Sequence, residues 1–442
     1  MGRDRIVLVM HPTAYSTEAF FEAARRIGVD VVVASDRCPI LDRGWRWPAN
    51  SWVVDFNEPE AAAKQIADQA VADAGAPVRA VVPVGGEVPA RVAALAARRL
   101  GLAGGDPFAV AAVGNKLRLR ELCAAARDRA AGAGAGAGRP GAPSLAVPRF
   151  VAVSLDELPE RVVEEVEARV GWPCVLKPLL LTASRGVMRA DDPETLRQRF
   201  LRLRRLLLSP ELLAIDPVAS RLILIESFIP GPEVALEGLL FGDALHTLAL
   251  FDKPDPLDGP FFEETIYVTP SRLPPATQAA IDAAVASAAR AVGLDSGPVH
   301  AELRLGAGTP VVIDLAARPI GGLCSRSLRF SRDVPLEELV IRQALGQDIR
   351  DLARERQASG VMMIPIPRAG ILTGVSGADA ARALPGIDDV VVSVRPGETL
   401  VPLPEGGSYL GFIFARAESP AAVEEALRRA HAQLGFDIAR RL

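Results

Sequence analysis

The stretch ILIESFIPGPEVALEG, residues 223–238, places three carboxylates in an otherwise apolar, strand-like run. A Pro-Gly-Pro turn separates Glu226 from Glu233 and Glu237. A carboxylate in apolar surroundings is costly unless a partner is close by. The stretch therefore predicts two strands whose acidic side chains face groups that donate hydrogen bonds.

Short apolar runs alternate with amphipathic helices over the first hundred residues. RIVLVM, VDVVVASD and AVVPVGG are typical of buried strands, and STEAFFEAARRIG and EVPARVAALAARRLG are typical of helices. This alternation predicts a doubly wound parallel α/β domain, for which we expect residues 1–114. No GxGxxG motif follows the first run, so a dinucleotide-binding version of that fold is unsupported.

The rest of the chain divides into two further predicted parts, residues 115–355 and 356–442. The first begins with a helix at 115–131, followed by the glycine-rich GAGAGAGRPGAP at 132–143, which predicts a surface insertion. Strand-like and helical segments then alternate irregularly. The second part is rich in glycine turns and short strands, and we expect it to form a separate module.

Composition bounds the class of protein. No run in the 442 residues approaches the ~20 apolar residues of a membrane-spanning helix. The net charge of −4 gives no reason to expect nucleic acid, and the four cysteines are too widely spaced to suggest a zinc site or a disulfide framework. We expect a cytoplasmic globular protein with no nucleic-acid or membrane partner.

Two lysines stand next to loops that suit an anion. Lys116 opens a helix, and Lys177 ends a strand before the small-residue loop TASRGVM at 182–188. An ammonium and backbone N–H groups together can hold nucleotide phosphates. Either lysine alone is more often a solvated surface charge. No GxxxxGK[ST] motif occurs, which excludes the commonest phosphate loop.

A second acidic pair lies on a predicted hairpin formed by GPVHAELRL and PVVIDLAARPIGG. Glu302 and Asp314 are twelve residues apart, and on facing strands they can converge on one Mg²⁺. The alternative is a pair of solvent-facing acids, but the apolar neighbours argue against it. Arg318, just before a Pro-Ile-Gly-Gly turn, is suited to stabilise a developing oxyanion.

With these candidates, the opening stretch can be interpreted. The strand ending at Glu226, Ser227 and Ile229 offers backbone donors and acceptors to an adenine edge. Glu226 would accept from the exocyclic amine, and Glu233 would hold the two ribose hydroxyls. Both ligand groups are donors, which explains why carboxylates are needed there.

These segments, taken in order, resemble the ATP-grasp superfamily. NKLRLREL is similar to its first lysine helix, and VLKPLLLTASRGVM to its second lysine with the phosphate-covering loop. IESFIPGPE resembles the adenine and ribose strand, and HAELRL with VVIDLAARPIGG resembles the metal-binding hairpin. The tail, GILTGVSG to LGFIFARAESP, resembles the last module of L-amino acid ligases. The resemblance implies an α/β, partly α+β, ATP-grasp fold with a C-terminal strand-rich module.

The resemblance also implies an ATP-dependent carboxylate–amine ligase that works through an acyl phosphate. Its substrates would be a small carboxylate, expected to be an amino acid, and an amine, with Mg²⁺ or alternatively Mn²⁺ as the metal. A homodimer is one option for its assembly. The implied ATP-binding residues are Lys116, Lys177, Ser184, Gly186, Glu226, Ser227, Ile229 and Glu233.

The remaining implied roles concern the reacting groups. Glu302 and Asp314 would carry the metal, and Arg318 would hold the acyl phosphate. His300 would touch the γ-phosphate, although a core histidine is an equal alternative. The implied substrate residues are Glu263, Glu264, Tyr267, Gly321 and Gly322. The acidic pair lies in FDKPDPLDGPFFEETIYVTPSRLP, residues 251–274, which reads either as a specificity loop or as an ordinary solvated turn.

Two departures from the family pattern leave questions open. Many relatives have Glu where this chain has Asp314 and Asn where it has Ala316, so one or two metal ions are expected. The loop at 182–188 has fewer glycines than that of biotin carboxylases, which weighs against the carboxylase branch. The alternatives are another ATP-grasp enzyme, acting on bicarbonate or a nucleotide precursor, and a non-catalytic ATP-binding module.

Overall fold

The computed structural model describes residues 4–11, 14–36, 50–73, 75–132, 145–242 and 244–440. The predicted insertion at 132–143 lies outside the described residues except for Gly132. The N-terminal elements are β1 (Arg5–Met10), α1 (Thr17–Ile27), β2 (Asp30–Ser35), β3 (Ser51–Val53), α2 (Pro59–Ala72), β4 (Val78–Val84), α3 (Glu87–Leu100) and α4 (Pro107–Val113).

The four N-terminal strands form one parallel sheet in the order β3-β2-β1-β4. Helix α1 ends where Gly28 takes a left-handed conformation, with φ of 81°, and its N–H caps the last helical carbonyls. All six residues of β1 are buried, as expected for a parallel strand covered by helices on both faces. The predicted doubly wound parallel sheet is confirmed.

A second, antiparallel sheet follows. Its region contains α5 (Lys116–Gly132), β5 (Phe150–Ser154), α6 (Pro159–Arg169), β6 (Cys174–Pro178), β7 (Met188–Ala190), α7 (Pro193–Leu207), α8 (Pro210–Leu213) and β8 (Leu222–Ser227). The strands run in the order β5-β8-β6-β7. Helices α6 and α7 cover one face, where Val166, Leu196 and Phe200 pack on the sheet. The other face, which carries Lys177 and Glu226, remains available for a ligand.

A larger sheet supports the other half of the molecule. Its elements are β9 (Glu233–Phe241), β10 (Ala244–Lys253), β11 (Ile266–Thr269), α9 (Pro275–Val292), β12 (Ser296–Gly306), β13 (Thr309–Ala316) and α10 (Leu336–Ala344). Strands β12 and β13 form the predicted hairpin, and Glu302 faces Asp314 across it. The segment 251–274 is less irregular than predicted, because β10 ends at Lys253 and Tyr267 lies within β11.

The C-terminal part is less separate than predicted. It contains β14 (Ala358–Ile364), β15 (Gly370–Ser376), α11 (Ala378–Arg382), β16 (Ile387–Val392), β17 (Thr399–Leu400), β18 (Gly411–Ala417), α12 (Pro420–His431) and β19 (Gly435–Ala439). Strand β14 pairs with β11, so the large sheet continues as β13-β12-β9-β10-β11-β14-β18-β16. Only β17, β15 and β19 form a sheet of their own within the described residues. Backbone pairing therefore ties the module to the centre of the molecule.

Candidate active site

One cavity of about 450 Å³ collects almost all of the predicted site residues. It lies between the small antiparallel sheet and the large sheet, and the N-terminal domain and the C-terminal part close its ends. Its volume lies within the range of small-molecule sites. Two predicted residues, Gly186 and Glu263, do not line it.

The two predicted phosphate lysines both reach this cavity. Lys177 is 8% exposed, and its Nζ lies 2.7 Å from a Glu226 oxygen and 3.4 Å from the carbonyl of Ile313. Lys116 Nζ lies 3.0 Å from the carbonyl of Leu181 and 3.3 Å from Asp314. These partners hold both ammonium groups at the cavity wall. The alternative of freely solvated lysines does not fit this burial.

Glu226 has different partners from those predicted. Its carboxylate is buried between Lys177 and the guanidinium of Arg120 on α5, which also donates to the carbonyl of Ile313 at 2.5 Å. Burial alone would raise the pKa of Glu226, but the two cations outweigh it and lower the pKa to about 2. The carboxylate thus fixes Lys177 and Arg120 at the cavity wall, and its bond to an adenine amine stays a prediction.

Glu226→Gln should lower the free energy of unfolding at neutral pH by about 3 kcal/mol, because it leaves two buried cations without their anion. The folded pKa of about 2 lies below the ordinary 4.5, so the carboxylate stabilises the fold above that ordinary value. This contribution is lost as the pH falls from the ordinary value toward the folded one. Urea unfolding of both proteins should therefore show a difference that shrinks on acidification.

The exposed Glu164→Gln change, which removes a helix-surface pair with Arg161, is the control for this measurement. It should alter unfolding little at any pH. A Glu226→Gln difference that stays constant from neutral to acid pH would contradict the depressed pKa.

The backbone beyond Glu226 suits a planar ligand edge. Ser227 and Phe228 donate to the carbonyls of Arg149 and Pro173 at 2.9 Å, which fixes the strand end. The next N–H, that of Ile229, donates to none of the described residues, and Ile229 lines the cavity. Gly231 is required at the following turn: its φ is 102°, and a Cβ there would lie 2.6 Å from the Leu305 carbonyl oxygen. A free donor at this wall fits an adenine ring.

The predicted phosphate loop borders the same cavity and has an unusual backbone. Ala183 and Ser184 have φ of 52° and 54°, a left-handed conformation that costs free energy for residues with a Cβ. Ser184 lines the cavity. Gly186 is instead buried beneath the loop, with a φ of 77°, and a Cβ there would press on Pro178 and Leu203 at 3.0 Å. Gly186 therefore shapes the loop from beneath and does not itself line the cavity.

Glu302 and Asp314, the predicted metal pair, both line the cavity from neighbouring strands. Residues directly opposite on a hairpin have their side chains on one face, a few ångströms apart. Asp314 is 34% exposed and pairs with Lys116. Glu302 also belongs to a second acidic group with Glu233 and Glu264, whose carboxylate oxygens lie within 4.8 Å of one another.

The ammonium of Lys253 lies at the centre of that acidic group. Its Nζ is 2.7 Å from Glu233, 2.6 Å from Glu264 and 3.1 Å from Glu302. Burial would lower the pKa of Lys253, but the three carboxylates raise it well above the ordinary value. The lysine therefore stays charged and neutralises part of the cluster. Glu233, the predicted ribose ligand, is 6% exposed, lines the cavity and shares its carboxylate with Lys253.

His300 connects the carboxylates of Glu237 and Glu302, the latter being one of the two predicted metal ligands. Its Nδ1 lies 3.1 Å from Glu237, and its Nε2 lies 3.8 Å from Glu302. Burial lowers the pKa of His300, but the two acids raise it to about 9. Glu237, fully buried, also accepts from the backbone N–H of Ile320 at 3.1 and 3.2 Å. His300 thus lines the cavity as part of a polar network, which differs from an apolar core histidine.

The guanidinium of Arg318 is fixed by the N-terminal domain. Its Nε donates to Glu87 at the start of α3 at 2.9 Å, and its Nη1 donates to the carbonyl of Pro319 at 3.0 Å. Gly321 and Gly322 line the cavity beside it. Gly322 has a φ of 64°, and a Cβ there would meet the Phe412 ring at 3.0 Å. The turn therefore lets backbone, Arg318 and ligand approach one another.

The predicted substrate acids separate in space. Glu264 lines the cavity and accepts from the hydroxyl of Tyr267 at 2.9 Å. Glu263 is half-buried and does not line the cavity, and burial raises its pKa, so the structure does not bring it together with the other predicted substrate residues. Arg326, in the segment after the hairpin, pairs with Asp389 at 2.8 Å and does not line the cavity.

Several residues in or around the site were not assigned a role from sequence. Among them are Glu87, Arg120, Glu237, Lys253 and Tyr409. Arg120 lies on a helix with many charged residues, and no local sequence pattern distinguishes this buried arginine from its solvent-exposed neighbours. Glu237 offered a signal, because a carboxylate within VALEGLLF requires a buried partner.

The residues present fit ATP and a divalent cation. Ile229 leaves a free donor at one wall, two anchored lysines face the next part of the cavity, and the oxygen ligands that Mg²⁺ prefers lie beyond them on the hairpin. Glu302 and Asp314 would hold the metal, which would supply charge neutralisation to a transferring phosphoryl group.

Comparison with known proteins gives two family matches. Residues 170–327 match the family described as ATP-grasp domain, and residues 362–439 match L-amino acid ligase C-terminal domain 2. The chain thus carries both parts that its sequence predicted.

One protein relative and two solved structures place these matches in context. The chain is 29% identical over 280 residues to the uncharacterized protein y4rH of Sinorhizobium fredii (strain NBRC 101917 / NGR234). The matched region covers 62% of this chain and 55% of the relative. The chain therefore spans about half of the length of that relative.

The structural neighbours show the same fold. An L-amino acid ligase from Bacillus licheniformis superposes with a TM-score of 0.78 at 23% identity, covering all of both chains. The biotin carboxylase domain of a 2-oxoglutarate carboxylase from Hydrogenobacter thermophilus, solved with MgADP and bicarbonate, gives 0.65 at 17% identity, covering 99% of this chain and 91% of that one. The predicted ATP-grasp fold is confirmed. No described helix has the length and apolar character needed to cross a bilayer.

Proposed function

We propose that this chain is an ATP-dependent carboxylate–amine ligase that joins an amino acid carboxylate to an amine through an acyl phosphate. The observation that carries the proposal is the convergence of anchored lysines, a carboxylate hairpin and a fixed arginine on one cavity. The adjoining L-amino acid ligase module supports an amino acid as the carboxylate substrate.

The proposed reaction has two steps. An oxygen of the substrate carboxylate attacks the γ-phosphorus of ATP, and the bond to the departing ADP breaks. The amine then attacks the carbonyl carbon of the acyl phosphate and loses a proton, and the C–O bond to phosphate breaks. The products are an amide, ADP and phosphate.

Each residue group acts on one part of this sequence. Lys116 and Lys177 neutralise charge on the α- and β-phosphates, and the loop containing Ser184 covers the β- and γ-phosphates. Arg318, already oriented by Glu87, stabilises negative charge on the acyl phosphate and on the tetrahedral carbon. His300 lies beside Glu302 and can donate toward the γ-phosphate.

The substrate end of the cavity is built to receive a cationic group. Glu264 lies at the cavity wall, held by Lys253 and Tyr267. Burial and the neighbouring Glu302 raise its pKa to about 8, and a bound cation would favour its ionised form. An α-ammonium of an amino acid is the simplest ligand for this acid. Such recognition would favour free amino acids over plain carboxylic acids.

The test is a screen of amino acid pairs for ATP-dependent phosphate release, with product masses determined for every active pair. The proposal expects release to depend on both partners and a product lighter than their sum by one water. Added Mg²⁺ or Mn²⁺ after chelation would identify the metal. Release driven by bicarbonate alone would favour the carboxylase alternative, and ATP binding without release would favour a non-catalytic module.

Glu233→Ala should raise the KM for ATP by about tenfold and lower kcat less, because ribose contacts are similar in the ground and transition states. Steady-state kinetics at saturating amino acids measures both constants. Glu263→Ala, outside the cavity, is the control and should leave both unchanged. Lost catalysis with unchanged ATP affinity would assign Glu233 to a different task.

A further inference from the structure

A segment of the C-terminal part, residues 402–409, lies directly on the phosphate loop, residues 182–187. The N–H of Gly186 donates to the carbonyl of Pro404 at 2.8 Å. Arg185 Nε donates to the carbonyl of Glu405 at 2.8 Å, and a Cβ at Gly407 would lie 3.4 Å from the Arg185 side chain. The two segments are 220 residues apart in sequence at this contact.

The side chain of Glu405 binds the same segment to helix α7, which covers the small antiparallel sheet. Arg202 on α7 donates to both carboxylate oxygens, at 2.6 and 2.8 Å. Arg202 lowers the pKa of Glu405, so the carboxylate is charged at neutral pH. A two-point arginine–carboxylate pair fixes orientation as well as distance. Loop, helix α7 and C-terminal segment therefore form one connected unit.

The loop has a reason to need such a contact. Ala183 and Ser184 both adopt left-handed backbone conformations that residues with a Cβ avoid. Neighbouring structure has to hold a backbone of this kind in place. Within the described residues, the bond from Gly186 to Pro404 is the backbone hydrogen bond that joins this loop to the C-terminal part.

The segment also reaches the substrate end of the cavity. Gly407 and Tyr409 line that cavity. Burial and the nearby Glu264 carboxylate raise the pKa of the Tyr409 phenol. One short segment thus contacts the nucleotide loop at one end and approaches the amino acid site at the other.

We infer that Glu405 is a positioning residue, supplied by the C-terminal part, that holds the phosphate loop closed and couples its closure to the substrate end of the cavity. The inference rests on the proposed function, in which residues 182–187 cover the β- and γ-phosphates of ATP. A loop freed from this segment admits water to the phosphates and binds them less firmly.

The test compares the full-length wild-type protein with Glu405→Ala. Without ligands, amide hydrogen exchange of residues 182–187 should become about fivefold faster. With substrates, the KM for ATP should rise about fivefold, and phosphate released per amide formed should exceed one, because the acyl phosphate meets water. Arg202→Ala should reproduce these changes, and Glu405→Gln, which keeps one acceptor for Arg202, should restore part of the wild-type behaviour.

The control is Asp348→Ala, which removes another two-point pair, with Arg350, on the exposed surface. It should change neither loop exchange nor the phosphate-to-amide ratio. Unchanged exchange and unchanged ATP KM in Glu405→Ala would overturn the inference, as would equal changes in the control. Failure of the ligase proposal would instead show as absence of amide product in the wild type, while loop exchange and ATP affinity would still test Glu405.

Discussion

Glu302→Gln is expected to lower turnover by about 10³-fold or more while leaving the fold intact. The side chain faces the cavity from β12, opposite Asp314, where we propose Mg²⁺. Glutamine keeps the volume and one oxygen acceptor for Lys253, which lies 3.1 Å away, but it removes the charge that a divalent cation needs. Amino-acid-dependent phosphate release measures the loss, and circular dichroism with urea unfolding verifies the fold.

The matched control uses another acid of the same cluster. Glu264→Gln alters another acid that contacts Lys253, but Glu264 is assigned to the substrate ammonium. It should raise the KM for the amino acid and preserve most of kcat. Titration with Mn²⁺ in the presence of ADP should show weaker metal binding for Glu302→Gln only. Full turnover in Glu302→Gln, or a bound metal more than about 3 Å from both predicted ligands, would refute the assignment.

The hairpin illustrates what sequence can predict. Side chains alternate along a strand, so GPVHAELRL and PVVIDLAA define which residues share a face without any long-range information. A turn of known length then brings Glu302 opposite Asp314, as the structure shows. Lys116 and Lys177 could be identified from sequence for a similar reason, because each lies at an end of a recognisable element next to a loop.

Ion-pair partners that are far apart in the sequence could not be predicted in this way. Glu226 pairs with Arg120, 106 residues away, and no local pattern in the sequence indicates that contact. Glu87 and Arg318 are 231 residues apart, and no local pattern pairs a helix start with a turn after a hairpin. These choices depend on how separate sheets pack against one another.

The continuity of the large sheet escaped prediction for the same physical reason. Glycine turns between short strands indicated a separate C-terminal module. Strand β14 nevertheless pairs with β11 through a register running from Ile266 opposite Met362 to Thr269 opposite Ser359. Which edge strand accepts a partner is decided by exposed backbone groups in the folded sheet, which sequence periodicity does not specify.

Arg318→Lys should keep ATP binding and lower kcat by about 10²-fold or more. Arg318 is partly buried at the cavity wall, and Glu87 and the Pro319 carbonyl set the plane of its guanidinium. A lysine has no planar fork, so it cannot hold Glu87 and a phosphate or carboxylate oxygen together in fixed geometry. Because charge collects on the tetrahedral carbon during reaction, the loss should appear in kcat more than in the KM for ATP.

Arg326→Lys provides the control, since Arg326 also lies in the segment after the hairpin but does not line the cavity. It should leave kcat within about twofold of wild type, the range expected for an exposed ion pair. Equal losses in both variants would show that Arg318→Lys acts through general destabilisation.

The intermediate that Arg318 is proposed to stabilise can be detected chemically. With ATP and a suitable amino acid, hydroxylamine should replace the amine and give a hydroxamate, more slowly in Arg318→Lys than in wild type. The attacking carboxylate oxygen stays on phosphorus when the amine displaces phosphate, so ¹⁸O from a labelled carboxylate should appear in the released phosphate. Unlabelled phosphate from a reaction that still forms amide would exclude the acyl phosphate. Arg318 would then act on a different step of the reaction.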